Sequence, residues 1–143
     1  MMFAFSDLST IYENQLASVK RGVAIVNKKY VVVRDQLKST NQPATVRWTM
    51  LTFADVSITG KNTATLTKDG KQLYLKVVSP SNIRMKTWST TPSTDYDAPN
   101  PGTTLVGFEC DVQSNSAETL QVLLIPGSSD SKAISFDNLL EKW

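Results

Sequence analysis

Glu109 and Asp111 stand two residues apart, a spacing that puts both carboxylates on one side of an extended strand. Paired carboxylates hydrolyse glycosides. The same spacing describes a solvent-facing rim behind an apolar Phe108–Cys110 face, and that second reading is the expected one. Trp48, Trp88, Trp143, Tyr30, Tyr74 and Tyr96 offer flat apolar faces. Such faces cover the C–H surface of a pyranose ring, while a nearby cation holds its carboxylate or sulfate. Trp88 follows Arg84 and Lys86 at two-residue steps and abuts a long polar loop that carries Tyr96. Trp88, Tyr96, Arg84 and Lys86 therefore form the candidate carbohydrate-binding set. The competing reading puts Trp48 in the core and makes Trp88 a plug at a strand end. Arg21, Arg34 and Arg47, with Arg84 and Lys86, read either as a groove for an anionic polymer or as a solvated sheet face, and the solvated face is expected.

The chain has no histidine. That removes Ser-His-Asp and Cys-His nucleophile pairs, zincin motifs and histidine general bases together. Its one cysteine, Cys110, has no partner for an internal disulfide and sits between acidic neighbours. It reads as a small buried hydrophobe rather than a reactive thiol. A net charge of +2, with 15 cations against 13 anions, is too even to suggest nucleic acid. No stretch approaches the roughly 20 apolar residues of a membrane helix, and Met1–Phe5 lacks the basic region of a signal peptide.

These residues are carried on extended segments. Runs at 19–26 and 30–37 flank the turn Asn27-Lys28-Lys29, and the successive Val31, Val32 and Val33 suggest a strand covered on both faces. Val46, Trp48 and Met50 alternate with Thr45, Arg47 and Thr49. Asp69-Gly70 signals a hairpin, since its turn needs positive φ. Leu73, Leu75 and Val77 follow in alternation until Pro80 breaks the strand, and Ile83 and Met85 alternate with Arg84 and Lys86. Two later strands lie within 104–112 and 119–125, and Pro126–Asp130 turns the chain before a last strand or short helix over Ile134–Trp143. Residues 1–16 form an entry segment with a helical turn near Ser6–Tyr12, and 89–103 form a long loop. The fold class is all-β: one domain over 1–143, an antiparallel β-sandwich of about nine short strands.

The order of several segments resembles the C-terminal β-sandwich of heparinase II/III-like polysaccharide lyases. The residues that carry the resemblance are Asp7-Leu8-Ser9-x-x-Tyr12, Val19-Lys20-Arg21-Gly22-Val23-Ala24, Tyr30-Val31-Val32-Val33-Arg34-Asp35, Val46-Arg47-Trp48-Thr49-Met50-Leu51-Thr52, Ala64-x-Leu66, Gly70-Lys71-x-Leu73, Leu123-Leu124-Ile125-Pro126 and Leu139-Leu140-Glu141-Lys142-Trp143. The resemblance implies a larger periplasmic or secreted parent in which an α/α toroid precedes these sheets. It also implies β-elimination on uronic-acid polysaccharides such as glycosaminoglycans: a base removes the C5 proton and an acid, usually tyrosine, protonates the leaving oxygen. The family's catalytic residues would precede Met1, so none is carried over and the chain alone is expected not to be an enzyme.

Some members hold a structural metal with His and Asp. Asp7 matches the Asp, but Met50-Leu51 stands where the His is expected, so no metal and no cofactor are expected. The implied partners are the upstream toroid and an acidic polysaccharide. The alternative is an independent carbohydrate-binding module, and a third reading is a free-standing enzyme using Tyr and carboxylates. A supporting module should leave an apolar patch uncovered; an autonomous one should be polar around an aromatic groove.

Overall fold

A computed structural model describes residues 1–127 together with Leu140 and Trp143. Ten strands follow in order: β1 (Met2–Asp7), β2 (Leu16–Val26), β3 (Tyr30–Ser39), β4 (Ala44–Thr52), β5 (Asp55–Gly60), β6 (Thr63–Lys68), β7 (Lys71–Ser79), β8 (Lys86–Ser89), β9 (Thr104–Val112) and β10 (Ala117–Pro126). They form two antiparallel sheets: a long one ordered β1-β2-β3-β10-β7-β6-β5 and a short one ordered β4-β9-β8. The all-β sandwich read from the sequence is the observed class, with ten strands among the described residues.

The local chemistry sets the turns. Asp69 and Gly70 both take positive φ (51° and 72°) and join β6 to β7 with Lys68 opposite Lys71. Asn27 and Lys28 also have positive φ, and Val26 pairs with Tyr30 across that turn. Counting back from it brings Arg21 opposite Asp35. β10 is the strand that joins the two ends of the chain, pairing with β3 on one side and β7 on the other.

Alternation divides the long sheet into two faces. On the inner face, Leu37 of β3, Leu120 and Val122 of β10, Leu75 and Val77 of β7 and Ala64 and Leu66 of β6 pack against Trp48, Val106, Phe108, Cys110 and Val112 of the short sheet. Trp48 stacks on Phe108 with centroids 5.9 Å apart. On the outer face Ala24, Val26, Tyr30, Val32, Leu123 and Ile125 make a second cluster, with Trp143 packed against it. Gly22 is buried beneath the C-terminal residues, and a Cβ there would come within 2.3 Å of Leu140 and 2.8 Å of Trp143. Val32 is thus buried on one side and Val31 and Val33 half-buried on the other, as a doubly covered strand requires.

The entry segment departs from expectation. Met2–Asp7 is an edge strand paired with β2, so Ser6 and Asp7 lie in a strand and not in the helical turn expected near Ser6–Tyr12. The turns follow it instead, with Tyr12 O accepting from Gln15 N and Leu16 N, both at 2.8 Å. Local pattern missed β1 because its partner lies some twenty residues downstream: Met2 sits opposite Ile25. The long loop is hydrogen-bonded at its base, where Thr103 Oγ1 donates to Asn100 O at 2.6 Å and lies 2.8 Å from Thr90 Oγ1. The expected last element over Ile134–Trp143 lies outside the described residues except Leu140 and Trp143.

Candidate functional site

β4, β8 and β9 present one exposed face. Register places Arg47 opposite Glu109, and Lys86 opposite Gly107 beside it. Arg47 donates from Nε and Nη2 to Glu109 Oε1 at 3.0 and 2.7 Å, and Lys86 Nζ donates to Oε2 at 3.2 Å. The Arg47 guanidinium also lies 4.7 Å from the centroid of the Trp88 ring, a cation–π distance. These donors, Arg47 first, hold the Glu109 carboxyl below its ordinary range. A proton-donating glycosidase acid needs a shift the other way. Asp111 accepts from Thr45 Oγ1 at 2.7 Å. The two carboxylates share a face, as their spacing requires, and each is tied to the strand beside it.

The structure places Lys86 and Trp88 on β8 and Arg84, exposed, just ahead of it, where Arg84 lines a surface depression with Lys86, Glu109, Lys61 and Asn82. Tyr96 is 87% exposed in the long loop, and among the described residues no ring contact joins it to Trp88. Arg47, read from the sequence as one cation among five, is the residue that touches Trp88. The signal that would have singled it out is charge order: Thr45 and Arg47 on one strand run opposite Asp111 and Glu109 on the other. The five cations do not form one groove. Arg21 lies on the inner face of the long sheet, while Arg47 and Lys86 lie on the short sheet. Arg34 is 6% exposed, not solvated, and its Nε donates to Gln121 Oε1 at 2.7 Å.

A second feature lies between the sheets. A pocket of about 200 Å³ is lined by Leu8, Leu37, Val46 and Trp48 together with Arg21 and Asp35. Asp35 is buried and accepts from Arg21 Nε and Nη2 at 2.6 and 2.7 Å, a two-pronged pair that keeps the guanidinium protonated still more firmly. Trp48 is 5% exposed, and its Nε1 is buried without a hydrogen-bond partner among the described residues. Buried N–H groups are nearly always paired, so an orphan of this kind is uncommon.

Asp7 Oδ1 accepts from Ser9 N and Oγ at 2.9 and 2.6 Å, which lowers its pKa and ties the end of β1 to the following turn. Among the described residues no three Cys, Asp or Glu side chains converge as a metal would require. Cys110 faces the core, and burial pushes its thiol up to about 11.

Two packed antiparallel sheets, a charge-paired outer face and a pocket between the sheets describe a β-sandwich module. Its fold is that of part of the heparinase III structures. It matches a heparinase III with a TM-score of 0.63 at 18% identity, covering 85% of this chain and 19% of that one. A heparan sulfate lyase from Pedobacter heparinus matches at 0.62 and 17%, covering 83% and 19%. A heparinase III gene product with methylated lysines matches at 0.68 and 19%, covering 95% and 22%. The chain therefore spans about a fifth of the length of these structures. No protein-family model and no curated protein matches the sequence.

Proposed function

We propose that this chain is a non-catalytic C-terminal β-sandwich of a heparinase II/III-like polysaccharide lyase, periplasmic or secreted, that packs against and supports the catalytic α/α toroid. The observation that carries this reading is the incomplete roof over the long sheet. On its inner face Val23 and Ile25 of β2 are 36% and 40% exposed, and Met2 of β1, opposite Ile25, is 70% exposed. Adjacent uncovered aliphatic side chains on a sheet face mark a contact surface. The match over most of this chain and only a fifth of the heparinase structures supports a larger parent. Incubating the purified chain with heparan sulfate, chondroitin, hyaluronan or alginate should give no rise in the absorbance of unsaturated uronate. Turnover abolished by a point substitution within the chain would overturn the reading.

A second reading, an autonomous carbohydrate-binding module, is favoured by Trp88 standing on an exposed face with Lys86, next to Arg84 and the loop that bears Tyr96. One stacked ring with one or two exposed ion pairs supports only weak binding, on the order of millimolar. Trp88→Ala should reduce retention on immobilised heparan sulfate, and unchanged retention would remove this reading.

A further inference from the structure

We infer that the pocket between the β1–β2 connection and β4 is a binding site for a single six-membered ring bearing a hydroxyl, an aryl alcohol of the phenol class, whose hydroxyl bonds to the Arg21–Asp35 pair. The inference goes beyond the supporting-module reading and does not depend on it.

The gap follows from the order of side chains. β4 turns Trp48, Val46 and Ala44 inward, and they shrink in that order towards the start of the strand. Trp48 is stacked on Phe108, while Val46 and Ala44 are only half-buried. On the long sheet, register sets Arg21 opposite Asp35. Its guanidinium donates from Nε to Oδ1 at 2.6 Å and from Nη2 to Oδ2 at 2.7 Å, so it is held by its own sheet instead of filling the space under β4. Leu8 and Leu16 border the same space. They are fixed there by Leu8 N donating to Val19 O and Leu16 N to Tyr12 O, both at 2.8 Å.

Volume sets the size of the occupant. An apolar cavity of about 150 Å³ holds one benzene molecule. At about 200 Å³ this pocket has room for one ring and a small substituent. The lining sets the polarity. Leu8, Leu16, Leu37, Val46 and Leu120 make it chiefly aliphatic. Thr45 and Arg47 also border it, but alternation turns their side chains to the far face of the short sheet, where they are bonded to Asp111 and Glu109. Tyr12 and Gln15 are exposed. Asp35, held by Arg21, is the buried charged side chain of the lining.

That single polar station selects the chemistry. A sugar carries hydroxyls around its ring and would leave most of them facing leucine, at a desolvation cost. The Arg21–Asp35 pair has no net charge, so it recruits neither a carboxylate nor an ammonium. Its two prongs leave donor hydrogens on the guanidinium and lone pairs on the carboxylate, side by side. A hydroxyl uses both at once, donating to Asp35 and accepting from Arg21. A free phenol and the tyrosine side chain of another polypeptide present this same chemistry.

The test is an NMR titration of the 143-residue chain with p-cresol, toluene and glucose. p-Cresol should shift the methyl resonances of Leu37, Val46 and Leu120 saturably and bind about three- to tenfold more tightly than toluene, as one hydrogen bond to a charged pair allows. Glucose should leave those methyls unmoved. D35N keeps the shape of the lining and should abolish the preference for p-cresol over toluene. V46F places a ring in the gap and should abolish binding of both; the comparison of ligands on the unsubstituted chain stands whether or not V46F folds. Shifts scattered over exposed aromatic residues and absent from the pocket would mean an adventitious additive only, and would overturn the site. Equal binding of p-cresol and toluene, or shifts of the pocket methyls by glucose, would overturn the ligand class. With the site established, the same shifts caused by N-acetyltyrosinamide assign the ring to a tyrosine side chain, and their absence assigns it to a free aryl alcohol.

Discussion

The inner face of the long sheet is one continuous surface with two fates. Under the short sheet, Leu75, Val77 and Val122 are 0–1% exposed. Two or three strands along the same face, Val23 and Ile25 are more than a third exposed. The residue types are the same and the pleat is the same; what differs is the roof. Burial here is set by the second layer, which ends at β4, and not by the strand that carries the side chain.

The largest expected effect lies under the roof. Leu75→Ala removes a fully buried side chain and should cost about 2–5 kcal/mol in a denaturant melt. A loss below about 0.5 kcal/mol would mean the two sheets pack more loosely than their burial indicates. Next is the other side of the same sheet, where Gly22→Ala drives a methyl into Leu140 and Trp143. A cost of about 1–3 kcal/mol is expected from overpacking, together with increased quenching of tryptophan emission as Trp143 is displaced. An unchanged spectrum would show that the C-terminal residues yield freely. On the unroofed corner Val23→Ser should change the stability of this chain by no more than about 0.5 kcal/mol. A cost comparable to Leu75→Ala would show that the corner is covered in solution.

The smallest effect is electrostatic. Asp7 and Glu109 have pKa values held below their ordinary 3.8 and 4.5. The unfolded chain therefore binds the more protons in that range, so their contribution is complete above these values and fades as pH falls through the lowered ones. Asp7 is exposed and Glu109 partly so, and the melting temperature should fall only slightly from this source on acidification. In R47A the part due to Glu109 should shrink, and a profile unchanged in R47A would break the assignment.

The same comparison explains what was legible. Turn chemistry at Asp69-Gly70 and Asn27-Lys28 and the alternation around Trp48 and Leu75 are local, and the sequence displays them directly. The division into sheets is not local. Nothing near Leu124 announces that it will lie opposite Val31 on one side and Leu75 on the other, and nothing near Val23 announces that the roof stops short of it. Trp48 was readable as core, but its unpaired N–H depends on which groups surround it in space. Arg34 was misjudged for a related reason. Its neighbours in sequence, Val33 and Asp35, do not announce its burial, because its acceptor, Gln121, arrives on β10 from far along the chain.

Cys110 closes the space between the sheets from the short-sheet side, buried and with its thiol pushed up to about 11. Alkylating reagents react with the thiolate, which the closed molecule neither forms at neutral pH nor exposes. The chain thus carries its own clock. At high reagent concentration the rate of alkylation becomes the rate at which the two layers part, read without any added probe. Comparing that rate between this chain and a longer polypeptide would time how firmly the rest of the protein clamps the layers shut.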